Sequence, residues 1–267
     1  MNGTINRRRQ SPSALLFTVH CLPFTLFLNA CDPTLPPLRG QIEVASDPYA
    51  VFVGGSGRNS DLYAIRPDGG QPIAITFTNV AELRPALSMD GGALVFLRGR
   101  SLSDSTPATV WVMNLLSGSE RELALPKAAG RPLRVGWGPG GSVIVAAERG
   151  LYLMNPPPAP VAPRAVKSHE RTTAESSLAV LLGKPVFARI VPCQRPTDLC
   201  VNGDSGTALL ARDARDPLRW GDDSVAFFVG DELEIRPLAR GRPRRMVWSN
   251  PPERPREMTF FSGTRKR

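Results

Sequence analysis

Histidine is almost missing from this chain: 267 residues contain two, His20 and His169. Cysteine is nearly as scarce, confined to Cys21, Cys31, Cys193 and Cys200. A closed zinc site takes four nitrogen or sulfur ligands, and beyond position 31 the chain has three, His169, Cys193 and Cys200. The longest apolar stretch, residues 14–28, falls short of the about 20 residues that span a bilayer. It is also broken by His20 and Pro23. Aromatics are absent from the richest basic patch, where Arg236, Arg240, Arg242, Arg244 and Arg245 are interrupted by Pro237, Gly241 and Pro243. Without rings to stack bases, that patch reads as a solvated strand-and-turn face, and no nucleic-acid partner is expected.

What the N-terminus does have is three arginines, Arg7, Arg8 and Arg9, followed by the apolar run and then Leu28-Asn29-Ala30-Cys31. This is the layout of a cleaved secretory signal over residues 1–30. Its last four residues resemble a bacterial lipobox: Leu28, Ala30 and Cys31 fit, and Asn29 is a less usual occupant. The resemblance implies that Cys31 is lipidated and becomes the mature N-terminus. It also implies several acyl chains, whereas one chain alone anchors only marginally. The expected location is the bacterial cell envelope, with the chain held on a membrane and facing the periplasm or exterior; inner and outer membrane are not distinguished. An ordinary secretory signal with an incidental cysteine is the alternative.

Residues 1–30 carry three of the 33 basic residues and none of the 24 acidic ones, so the mature chain keeps a net charge near +6. A basic balance of that size suits attraction to anionic head groups or acidic envelope polymers. About 230 residues remain, enough for one large all-β domain. Scattered proline (27) and glycine (24) favour short elements separated by turns over long helices. With Cys21 leaving and Cys31 acylated, Cys193 and Cys200 remain as a pair, and in an oxidising compartment they are expected to form a disulfide.

A strand recurs along the chain, centred on Tyr63, Trp111, Tyr152, Cys200 and Glu234, at intervals of 48, 41, 48 and 34 residues. Those intervals bracket the roughly 40 to 50 residues of a propeller blade. Apolar strands precede four of them: Ala50 to Val53, Leu94 to Leu97, Val143 to Val145 and Val225 to Val229. Small-residue turns stand before three of those strands, at residues 86–92, 136–141 and 219–223. Turns such as Arg66-Pro67-Asp68-Gly69-Gly70 follow the recurring strand, where Asp and Gly supply hairpin conformations. The expected fold is an all-β propeller of four-stranded antiparallel blades.

Pro85 to Gly92 with Val110 to Asn114, and Trp137 to Gly141 with Leu151 to Asn155, resemble the repeat of the TolB-type β-propeller family. The resemblance covers residues 41–263 and implies a propeller there, after a lipidated tether at 31–40 and before a basic tail at 264–267. It fades over Pro156 to Pro163 and Lys167 to Pro192. Five blades are expected, with six, the number usual in the family, as the alternative. The terminal fragment Pro255 to Gly263 reads as one more opening strand. Pairing Met258-Thr259-Phe260-Phe261 beside Val51-Phe52-Val53 would close the ring and protect its edges.

Candidate chemistry is thin. Gly203-Asp204-Ser205-Gly206 is similar to the nucleophile segment of chymotrypsin-like proteases, yet it sits where a repeat turn belongs and His169 is the one histidine left to serve as its base. Asp90, Asp222 and Asp223 lie at repeat turns without a dense acidic loop for calcium. Trp111, Trp137 and Trp220 hold blade-packing positions. His169, Glu170 and Glu175 fall in the least repeat-like stretch. No catalytic residue, metal or cofactor is therefore expected. The chain reads as a binding or scaffold module for a protein or an envelope polymer. The rival is a lactonase-like propeller hydrolase with a metal in the central channel.

Overall fold

The computed structural model describes residues 37–56, 59–100, 107–155, 164–165, 190–203, 206–221, 223–238 and 242–264. The signal segment, Cys31, His169, Glu170, Glu175, Asp204, Ser205 and Asp222 lie outside them. The described chain is all-β apart from two single 3-10 turns.

Each recurring strand of the sequence pairs antiparallel with its apolar predecessor. β1 (Tyr49–Ser56) pairs β2 (Asn59–Arg66), with Phe52 opposite Tyr63. β5 (Ala93–Gly99) pairs β6 (Ala108–Asn114), with Phe96 opposite Trp111. β9 (Val143–Ala147) pairs β10 (Gly150–Met154), and β16 (Ser224–Val229) pairs β17 (Glu232–Pro237). Outer strands add to these hairpins: β3 (Gly69–Ala74), β7 (Glu120–Leu123), β11 (Arg164–Ala165) and β18 (Arg244–Arg245). Leading strands complete three units on the other side: β4 (Ala81–Leu87) on β5, β8 (Pro132–Trp137) on β9, and β15 (Ala214–Trp220) on β16. A further sheet holds β12 (Ile190–Pro192), β13 (Leu199–Gly203) and β14 (Gly206–Ala211).

The leading strand beside β1 comes from the far end of the chain. β19 (Arg256–Phe261) pairs β1 antiparallel, placing Phe261 opposite Tyr49 and Thr259 opposite Val51. The two four-stranded units that share the largest sheet touch through a single parallel bridge, Ser60 to Ala81.

The middle strands explain why their sequences are apolar without alternation: both faces are buried. In β1, Val51 and Val53 enter one core with Leu94 and Phe96, while Ala50 and Phe52 enter another with Ala226 and Phe228. In β5, Val95 and Leu97 turn to a third core with Val143 and Val145. Val225 and Phe227 of β16 face Ile190, Leu199 and Leu210 of the β12–β14 sheet. The units are thus stacked face to face in the order β12–β14, β15–β18, β19 with β1–β3, β4–β7, β8–β11. Serial stacking of short antiparallel sheets is propeller architecture.

Part of the stretch read as tether lies in this core: Leu38 is fully buried beside Tyr49 and Phe261. Gly91 shows how tightly the end is gripped. Its φ of 67° suits glycine, and a Cβ there would stand 2.5 Å from the Phe261 ring.

Candidate functional site

Leading strands β15, β19, β4 and β8 lie side by side, and side chains rather than a ladder join them. Each of the four carries a register shift where it pairs its middle strand. Three of these bulges hold a non-glycine residue in the left-handed region: Arg84 at φ 52°, Asp216 at 51° and Glu257 at 50°. Each such residue costs about 1 kcal/mol or more. The three bulges are stitched together. Arg84 donates its backbone N–H to Glu257 Oε2 at 2.6 Å, and Glu257 donates its own to Asp216 Oδ2 at 2.9 Å. The Arg84 guanidinium also stands 3.8 Å from Glu257 Oε1. Further along the strands, Leu87 N–H donates to Thr259 Oγ1 at 3.2 Å, and Trp137 Nε1 to the Ala86 carbonyl at 2.8 Å.

Around this seam lie four arginines, Arg84, Arg215, Arg254 and Arg256, and two carboxylates, Asp216 and Glu257. Burial pushes the Glu257 carboxyl above its ordinary range, although the Arg84 N–H and guanidinium pull the other way. Burial likewise lowers Arg256, with Arg215 and Arg254 adding to the effect. Arg256 Nη1 donates to the carbonyls of Gly55 and Arg254, each at 3.0 Å. Its Nη2 is buried and has no hydrogen-bond partner among the described residues. Two positive charges are in excess among these six groups, and Arg215 and Arg254 are exposed.

Sequence reasoning did not single out this cluster. A signal was present: Arg84-Pro85 and Asp216-Pro217 occupy equivalent places in two leading strands, ahead of Trp-type turns. The residues that were singled out fall elsewhere. Cys193 and Cys200 are joined, S–S 2.06 Å, in the β12–β14 sheet. Gly203 and Gly206 close the β13–β14 hairpin, which agrees with a turn. Trp220 is buried and stacks on Phe260. Trp111 takes the Arg98 guanidinium 4.3 Å above its ring. Among the described residues no three His, Cys, Asp or Glu side chains group to hold a metal ion.

A second buried charged group lies between the β1 and β5 units. Glu82 is fully buried and receives Arg98 at 2.6 Å and a hydrogen bond from the Thr76 hydroxyl. Arg98 reaches on to Glu120 at 2.8 Å. All its parts are satisfied by one another, which marks it as a joint between sheets.

No protein-family model and no curated protein matches the chain. Solved structures that are similar to it include TolB from Acinetobacter baumannii, at 14% identity and a TM-score of 0.33, over 79% of this chain and 66% of that one. A putative TolB from Agrobacterium tumefaciens is 15% identical with a TM-score of 0.36, over 80% and 70%. A putative 6-phosphogluconolactonase from Bacteroides uniformis is 12% identical with a TM-score of 0.29, over 75% and 67%.

Proposed function

We propose that this chain is a five-bladed propeller of the bacterial cell envelope, lipid-anchored through Cys31, that binds an acidic protein or envelope polymer at the seam of its leading strands. The observation that carries the binding site is the arginine surplus around Glu257, with Arg215 and Arg254 exposed. Complementary charge raises encounter rates and selects partners of opposite sign. β19 serves as the closing strand of the ring.

Crosslinking in intact envelopes tests the reading. Arg215→Glu and Arg254→Glu are exposed charge reversals and should abolish a salt-sensitive crosslinked product that the wild type gives. An undiminished product in both variants refutes the site. Anchoring is tested separately: Cys31→Ala should no longer incorporate radiolabelled palmitate. Equal labelling of that variant refutes the anchor.

A second reading has one observation behind it. The Asp216 carboxylate accepts the Glu257 main-chain N–H and its charge acts on the Glu257 carboxyl, whose pKa is raised chiefly by burial; two carboxyls in unlike environments are what acid–base hydrolysis uses. Arginines crowd both, which favours binding over proton transfer.

A further inference from the structure

A groove of about 650 Å³ opens between the turn at residues 88–92, the β6–β7 hairpin and the turn at 138–141. Its volume lies in the range of small-molecule sites. None of its residues belongs to the arginine seam. Trp137 lines it, half-buried, and the indole is fixed by its Nε1 bond to Ala86. Opposite chemistries surround the ring. Asp90 Oδ1 accepts from Ser88 Oγ at 2.6 Å and from Gly92 N–H at 2.9 Å. Those donors hold the carboxyl below its usual range, so it is an ionised acceptor at neutral pH. Asn114 spends its Oδ1 on the N–H groups of Leu116 and Ser117, at 2.9 and 3.0 Å. Its carboxamide NH₂ has no partner among the described residues, and the exposed Arg121 has no ion pair among them. Glu120 is already held by Arg98.

The opposite wall carries no side chains at Gly140 and Gly141. Both have positive φ, and a Cβ added to either would meet nothing within 4 Å. The groove therefore offers one oriented aromatic ring, an open glycine wall, donors from Asn114 and Arg121, and an acceptor from Asp90. Its free charges cancel, one of each sign.

We propose that this groove binds an uncharged saccharide unit of a glycan, with the sugar ring packed on Trp137. A pyranose has a face of C–H groups that packs against an indole, and a perimeter of hydroxyl or amide groups that need both donors and acceptors. Those are the two demands the groove meets. This site is separate from the arginine seam and does not depend on what binds there.

Saturation-transfer NMR of the intact protein with N,N′,N″-triacetylchitotriose tests it. Saturation should reach the ring C–H protons of the sugar at about 1 mM ligand, the weak end of single-site recognition. Arg121→Ala, an exposed change, should weaken binding about tenfold, the equivalent of 1.4 kcal/mol. Trp137→Leu should abolish it. Arg215→Glu should leave it unchanged, which separates this site from the seam. Should Trp137→Leu fail to fold, Arg121→Ala decides. Absence of transfer to the wild type overturns the proposal, as does transfer unaltered by Arg121→Ala. Preference for trigalacturonate overturns the assignment of a neutral sugar.

Discussion

Trp220, at the end of β15, stacks on Phe260 of β19, with ring centroids 4.1 Å apart and planes 19° from parallel. The contact ties the C-terminal strand to the β15–β18 sheet while the same strand is hydrogen-bonded to β1. β19 is thus a joint between two units as well as an edge of one.

Deleting residues 256–267 should therefore destabilise the whole domain, because it uncovers Tyr49, Trp220 and the free edge of β1 together. A truncated chain that melts at the wild-type temperature and stays monomeric would refute this. Phe260→Ala tests the stack alone. Its ring is partly buried, so a loss at or below the low end of the about 3 to 5 kcal/mol typical of core Phe→Ala changes is expected from urea unfolding.

Glu257 sets a pH dependence with a definite sign. Its folded pKa is raised, so the folded state keeps a proton that the unfolded chain has released. The corresponding stability is full below the unfolded carboxyl pKa, about 4.3, and is lost as pH climbs through the folded value. Burial raises Glu82 in the same sense. Denaturation curves should show stability falling as pH rises from about 4 toward neutrality. Glu257→Gln, which keeps an acceptor for the Arg84 N–H, should flatten part of that fall. An identical slope in the variant would count against a buried, strained carboxyl.

Breaking the joint at Glu82 should be costly in another way. Glu82→Ala leaves Arg98 half-paired between sheets, and removing one member of a buried ion pair typically costs about 3 to 5 kcal/mol. Glu82→Gln should cost less, since Thr76 and Arg98 keep a polar neighbour. Equal midpoints in guanidinium for the alanine variant and wild type would contradict the packing described.

The Cys193–Cys200 bridge closes a loop that also holds the next sheet: the Thr197 carbonyl accepts the Ala214 N–H at 2.8 Å, and Asp198 Oδ1 accepts that of Asp213 at 3.1 Å. Reduction should cost about 2 to 3 kcal/mol on the chain-entropy estimate. Hydrogen exchange at Asp213 and Ala214 should speed up on reduction. Unchanged protection there would separate the bridge from the joint.

The hairpins were legible because a strand buried on both faces must be apolar throughout, as Ala50 to Val53 and Val225 to Val229 are, and because hairpin turns have their own residues. The pairing of Phe260 and Phe261 with the first strand followed from the need to cover an edge. The left-handed bulges at Arg84, Asp216 and Glu257 were not legible. Their backbone is fixed by bonds to residues on other strands, 173 positions away in the case of Arg84 and Glu257, and local propensity argues against it. Leu38 was missed for a similar reason, since two leucines among prolines, Leu35 and Leu38, give no periodic signal.

Placing the last strand beside the first also orders events in time. A chain that leaves a ribosome or a translocation pore N-terminus first presents Tyr49 more than 200 residues before its partner Phe261. Until β19 arrives, β1 has an open edge and the Trp220 ring has no stacking partner. The sheet that holds Tyr49 can be completed only after β19 has emerged, so the domain stays open until residue 261 is through.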